Sequence, residues 1–125
     1  MKTNFIRTSF ILIIVFTLGL TTAVAQKRAT VHGQIVELIS YLRDGLKPTS
    51  PSKKEVAMGN FKKGGALAII DNSNKLYLIV PGSADTSFVK NVTPYLGVKS
   101  FVKGPVFTRS GVRLIVLEDI GKSLK

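Results

Sequence analysis

The chain has 125 residues, with 18 Lys or Arg against 7 Asp or Glu, one His, and neither Cys nor Trp, which bounds it to one small domain plus whatever its ends carry. Without cysteine there is no disulfide framework, thiol nucleophile, iron–sulfur cluster, cysteine-ligated zinc or covalently attached haem, and one histidine excludes an HExxH helix or a site of several imidazoles within one chain. No cofactor or metal is expected.

In chain order, Lys2 and Arg7 precede an apolar run from Phe10 to Leu20, followed by small and polar residues ending in Ala23-Val24-Ala25. This predicts a signal peptide over 1–25, removed on export; the run is too short for a transmembrane helix, which needs about 20 apolar residues. The expected product, residues 26–125, is exported, periplasmic or secreted, and has no further segment of membrane-spanning length. It carries 16 basic and 7 acidic side chains, a net charge of +9, a density that attracts anionic surfaces and also favours solubility.

Val31 to Ser40 is rich in aliphatic and β-branched residues with Gly33 near its start, which predicts a long, bulged first strand. A polar stretch over 43–52, broken by Gly45, Pro48 and Pro51, reads as a surface loop. Ser52 is placed to cap a helix from Lys53, with Glu55 as its capping-box partner and Gly64-Gly65 as the stop. Ala66 to Ile70 and Leu76 to Val80 flank the polar loop Asp71 to Lys75 and predict a hairpin. A second short helix is expected within Ser83 to Leu96, capped by Asp85 or Thr86 and limited to about two turns by Pro94. Val98 to Thr108 and Val112 to Ile120 read as two long strands turned at Arg109-Ser110-Gly111. In the first, Val98, Ser100, Val102, Gly104 and Val106 share one face and Lys99, Phe101, Lys103 and Phe107 the other, with Gly104-Pro105 marking a bend. Five strands, with a short helix before the second and another between the third and fourth, is the connectivity of an OB-like barrel.

From Gly33 to Ile120 the sequence also resembles a group of small exported bacterial OB-like proteins of uncharacterised function. Their frame reads G-x-V-V-D, C-Y-L, H-x-x-C-A-x-x-C-A-x-x-G-x-P-L-G-L-L, a D-G-x-L-Y-L hairpin and G-x-x-V-x-V-x-G. Here it appears as Gly33 to Glu37, Ser40-Tyr41-Leu42, Lys53 to Ile70, Lys75 to Leu78 and Gly97 to Gly104. The resemblance implies a soft-metal or redox site at Ser40, Lys53, Val56 and Asn60. In this chain the three cysteines of those relatives are Ser, Val and Asn, and the histidine is Lys, so the donors that would hold zinc, copper or iron are gone.

Other chemistry is sparse. His32 has Glu37 and Asp44 as its nearest acids in sequence and reads as a structural or exposed strand histidine. Most acids sit at turns or helix starts, and Glu118-Asp119 are adjacent on a strand, so no carboxylate pair for hydrolysis is expected. Lys62-Lys63-Gly64-Gly65 lacks the spacing of a phosphate loop and suits a helix C-terminus. The binding signal is basic residues interleaved with aromatics: Tyr77, Lys99, Phe101, Lys103, Arg109 and Arg113 form the expected binding face, with the segment from Arg43 to Lys63 as a second place to grip a ligand. The function expected is a non-catalytic binding or envelope-associated module meeting anionic envelope or glycan surfaces, or a protein partner. A single-stranded nucleic-acid or polyanion binder is the alternative, since such strands stack bases on aromatics and track phosphates with lysines. Export argues against nucleic acid. A metal-binding or hydrolytic protein is the third reading, and it lacks ligands.

Overall fold

β1 (Lys27–Glu37) and β4 (Lys99–Arg109) are the longest strands, eleven residues each, and both change partner part-way along. In the computed structural model, which describes residues 27–83 and 85–125, β1 runs antiparallel to β4 from Lys27 to Gln34 and to β2 (Leu67–Asp71) from Gly33 to Glu37. The signal peptide expected over 1–25 lies outside the described residues. β2 pairs antiparallel with β3 (Leu76–Pro81), β3 pairs parallel with β5 (Val112–Leu117), and β5 returns antiparallel to the far end of β4. The circuit β1-β2-β3-β5-β4-β1 is closed. It is the OB-like barrel that the strand order predicts.

Partner exchange needs backbones closer than a side chain permits. A Cβ on Gly33 would collide with the carbonyl of Ile70, and one on Gly104 with the carbonyl of Val116. Glycine at a barrel corner serves this purpose. Beyond Gly104 the expected last strand is not continuous: it breaks at Glu118, whose N–H donates to Lys103 O at 2.9 Å, and resumes as β6 (Asp119–Lys122), antiparallel to the first half of β4.

The strand interiors alternate as the faces predicted. Val31, Ile35, Leu67, Ile69, Ile79, Val102, Ile115 and Leu117 fill the barrel. Two further elements close it: Ala57 of α2 (Pro51–Lys62) and Val92 of α3 (Phe88–Val92), with Leu96 beyond a 3₁₀ turn over Thr93–Tyr95, join the same cluster. A second, smaller apolar layer lies outside the barrel, where Val36, Ala68 and Ile70 are covered by Leu38 and Tyr41.

Three local expectations need correction. The first strand does not run to Ser40: it ends at Glu37, and Leu38–Asp44 form a helix, α1, because the Glu37 carboxylate accepts from the Ile39 and Ser40 N–H groups and caps it. The helix expected from Lys53 begins at Pro51, with Ser50 rather than Ser52 as its cap, accepting from Lys53 N at 3.4 Å; proline fits the first helical position, where no N–H partner is lost. The third helix starts at Phe88 without a side-chain cap, and Asp85 instead accepts from Ser87 N. Among the described residues no helix is long and apolar enough to cross a membrane.

Because the Gly104 contact is with backbone, which cannot rotate away, Gly104→Ala should destabilise the fold by about 2–4 kcal/mol. Gly45→Ala, at a left-handed helix C-cap with open space around it, should cost only about 1 kcal/mol. Urea unfolding midpoints of the two variants check the difference.

Candidate anion-binding site

The outward faces of β1, β4 and β6 form a grid fixed by register. Thr30 lies opposite Lys103, which lies opposite Asp119; His32 lies opposite Phe101, which lies opposite Gly121; Gln34 lies opposite Lys99. The middle row is aromatic. The Phe101 ring rests on Gly121, where a Cβ would come within 2.7 Å of its Cε1, and the His32 ring stands 6.2 Å from it, tilted by 51°. Lys99 and Lys103 are exposed on either side.

At the Lys99 end this grid opens into a cleft of about 320 Å³ whose walls include His32, Lys47, Asp71, Lys99, Ser123 and Lys125. The Ser123 backbone donates to Lys99 O at 3.0 Å, which holds its hydroxyl 2.9 Å from His32 Nδ1. Lys47, Lys99 and Lys125 are the cationic residues of this wall and Asp71 its one acidic side chain, whose Oδ1 accepts from Ser73 N and Lys75 N and so closes the β2–β3 turn. The cleft is a concave positive surface with hydroxyl, imidazole and ammonium donors.

Of the six residues expected to form one binding face, the structure keeps Lys99, Phe101 and Lys103 together and adds His32. It separates the rest. Tyr77 and Arg113 lie on the inward-facing side of their strands; Tyr77 packs against the barrel core with the Arg113 guanidinium 6.0 Å over its ring. Arg109 is at the far end of β4, opposite Val112. His32 is the residue that sequence reasoning set aside; its partner Ser123 is 91 positions away, so no local pattern announces it.

The four positions implied by the resemblance divide two and two. Ser40 and Asn60 meet: the Asn60 amide donates to Ser40 Oγ at 2.7 Å, and that hydroxyl donates to Glu37 Oε2 at 2.6 Å. Glu37 and Ser40 are 0% and 1% exposed, so this is a buried network in which the carboxylate accepts two backbone N–H groups and one hydroxyl. Val56 is 52% exposed and Lys53 is exposed on the same helix, outside that network. Nearby, the Arg43 guanidinium is held above its ordinary pKa by its hydrogen bond to Asp44 and by the charge of that carboxylate. Among the described residues no three His, Cys, Asp or Glu side chains converge.

Comparison of this chain with protein-family models, with curated proteins and with solved structures finds no match.

Removing the Glu37 carboxylate leaves two helix N–H groups and the Ser40 hydroxyl without their acceptor in a buried place. Glu37→Ala should cost about 2–4 kcal/mol, whereas Asn60→Ala, which frees one acceptor, should cost about 1–2 kcal/mol. Thermal unfolding of both variants tests the order. Equal losses would mean the network is not organised by the carboxylate.

Proposed function

We propose that the chain is an exported, non-catalytic module that binds an anionic ligand in the cleft between Lys47, Lys99, Lys125 and His32. One observation supports this reading: three lysines and a histidine line one concave site whose one acidic side chain is held in a turn by backbone N–H groups. The net charge of +9 over 26–125 brings anions to this surface from a distance, and the cleft gives them a place to stop. Its volume of about 320 Å³ is at the small end of ligand pockets, which run from roughly 300 to 1,000 Å³. That suits a compact anionic group, either free or projecting from a glycan or an envelope surface. Lysines recognise such a group as point charges, without the paired geometry an arginine would impose.

A single-stranded nucleic acid is less well served. In this fold the face of strands 2 and 3 receives oligonucleotides. Here the outer sides of β2 and β3 carry Ala68, Ile70, Leu76, Leu78 and Val80, aliphatic residues with no cation or aromatic ring among them. Phe101 lies between Lys99 and Lys103 on β4, outside the cleft wall, and Phe107 stands further along the same strand.

Titration with inorganic phosphate and with a sulfated disaccharide, followed by calorimetry and amide chemical shifts, tests the reading. Binding should perturb Gln34, Asp71 and Ser123 amides and weaken as salt shortens the screening length. Lys99→Glu and Lys47→Glu should each weaken binding by about tenfold, a cost of about 1.4 kcal/mol. Lys90→Glu, on α3, should have little effect. Affinity unchanged in Lys99→Glu would remove the cleft from the account.

A further inference from the structure

Over its first half β1 has a partner on one side only. The bond from Leu38 N to Ala66 O extends the β1–β2 register by one position, and along an antiparallel pair bonded and unbonded positions alternate. Even-numbered residues of β1 therefore aim their N–H and C=O groups at β2 and odd-numbered ones at β4. Pro105, which has no N–H to give, accordingly lies opposite the even-numbered Arg28. β2 ends at Asp71, opposite Gly33. Beyond that point, among the described residues, no strand pairs with the side of β1 to which Arg28, Thr30 and His32 present their backbone groups. The edge of β6 is treated differently. Ser123 N bonds to Lys99 O, so the even-numbered Ile120 points away from β4, and its N–H donates to Asp119 Oδ1 at 2.9 Å. One edge is blunted by its own side chain and the other is left open.

A row of unpaired N–H and C=O groups is satisfied by a further strand, and the side chains of β1 set what that strand carries. A residue placed opposite one of them shares its face. Opposite Ala29 and Val31, the latter in the barrel core, the added strand turns apolar side chains inward. Opposite His32 it meets the cleft with Lys47, Lys99 and Lys125. Opposite Arg28 it meets a guanidinium that already takes a carboxylate, Glu118, at 2.7 Å. A second copy of this chain would set Lys27, Arg28 and His32 against the same residues, on top of its like net charge. We infer that this edge of β1 receives an extended segment of another protein as an antiparallel strand, in the line that β2 leaves at Asp71, with the alternation acid, apolar, polar, apolar, acid running from His32 to Arg28. The inference rests on the cleft reading for one contact, the acid opposite His32.

The test uses the full chain and three labelled peptides with blocked ends: one centred on Glu-Val-Thr-Val-Glu, the same peptide N-methylated at both glutamates and the threonine, and the face-exchanged Val-Glu-Thr-Glu-Val. Polarisation should show the first binding and the other two weaker by about tenfold or more. Hydrogen exchange at the Arg28, Thr30 and His32 amides should slow when the first peptide is added. Thr30→Pro removes an N–H that points out of the sheet, a place where proline is tolerated; it should weaken the peptide about tenfold and leave phosphate binding in the cleft unchanged. Should that variant fail to fold, the N-methylated peptide poses the same question to the unaltered chain. Phosphate binding without peptide binding would overturn the inference and spare the cleft, whereas peptide binding with slowed exchange and no phosphate binding would spare the edge and remove the cleft. Equal affinity for the N-methylated peptide would reduce the edge to a charge effect and overturn it. So would sedimentation of the chain as a dimer whose Arg28, Thr30 and His32 amides are already protected.

Discussion

The structure depends on two points where backbone meets backbone without an intervening side chain. Gly33 lies where β1 passes from β4 to β2, pairing with both, and Gly104 lies where one edge of β4 passes from β6 to β5 while β1 stays paired along the other edge as far as Val106. Closure of the sheet follows from these exchanges, since each long strand then serves as a wall of the barrel twice. The antiparallel seam of β1 with β4 also aligns His32 with Phe101 and Gln34 with Lys99. The second half of β4 aligns Phe107 with Leu114. The alignment of the candidate site is therefore a product of this closure.

Much of this was legible in the chain. Alternation along Val98 to Thr108 separates the buried Ser100, Val102 and Gly104 from the outward Lys99, Phe101 and Lys103, and the polar run Asp71 to Lys75 marks its hairpin. α1 was hidden because Leu-Ile-Ser-Tyr-Leu continues the aliphatic character of the strand before it. Its cap is a glutamate, outside the Ser, Thr, Asp and Asn set that favours that position. Ser50-Pro51 did carry a usable signal, proline at the first helical position, beside the competing serine two residues on. The cleft had no such signal. Its walls come from β1, the loop before α2, the end of β2 with its turn to β3, β4 and the residues after β6, and spacing along a sequence does not report convergence from such separate segments.

In the Glu37, Ser40 and Asn60 network, polar side chains from the end of β1, from α1 and from α2 meet beneath the surface. An acceptor carboxylate, a hydroxyl that both donates and accepts, and an amide that donates form a chain in which each group satisfies the next. In a buried setting that continuity matters more than any one bond, because an unpaired member would carry its full desolvation cost. The result ties α1 to α2, and α1 in turn covers the outer layer of Val36, Ala68 and Ile70. A local polar arrangement thus decides which side of the sheet is shielded.

The seam between β1 and β4 also governs how the molecule reaches its folded form. It joins Gln34 to Lys99 and Lys27 to Val106, partners separated by roughly 65 to 80 residues, and such distant pairings come late because the chain entropy of a large loop is lost before they repay it. Until they form, the hairpins on either side present open hydrogen-bonding edges to other molecules. Newly made chains are accordingly most vulnerable to misassociation before the ring shuts, and the speed of that last step sets the length of the exposure.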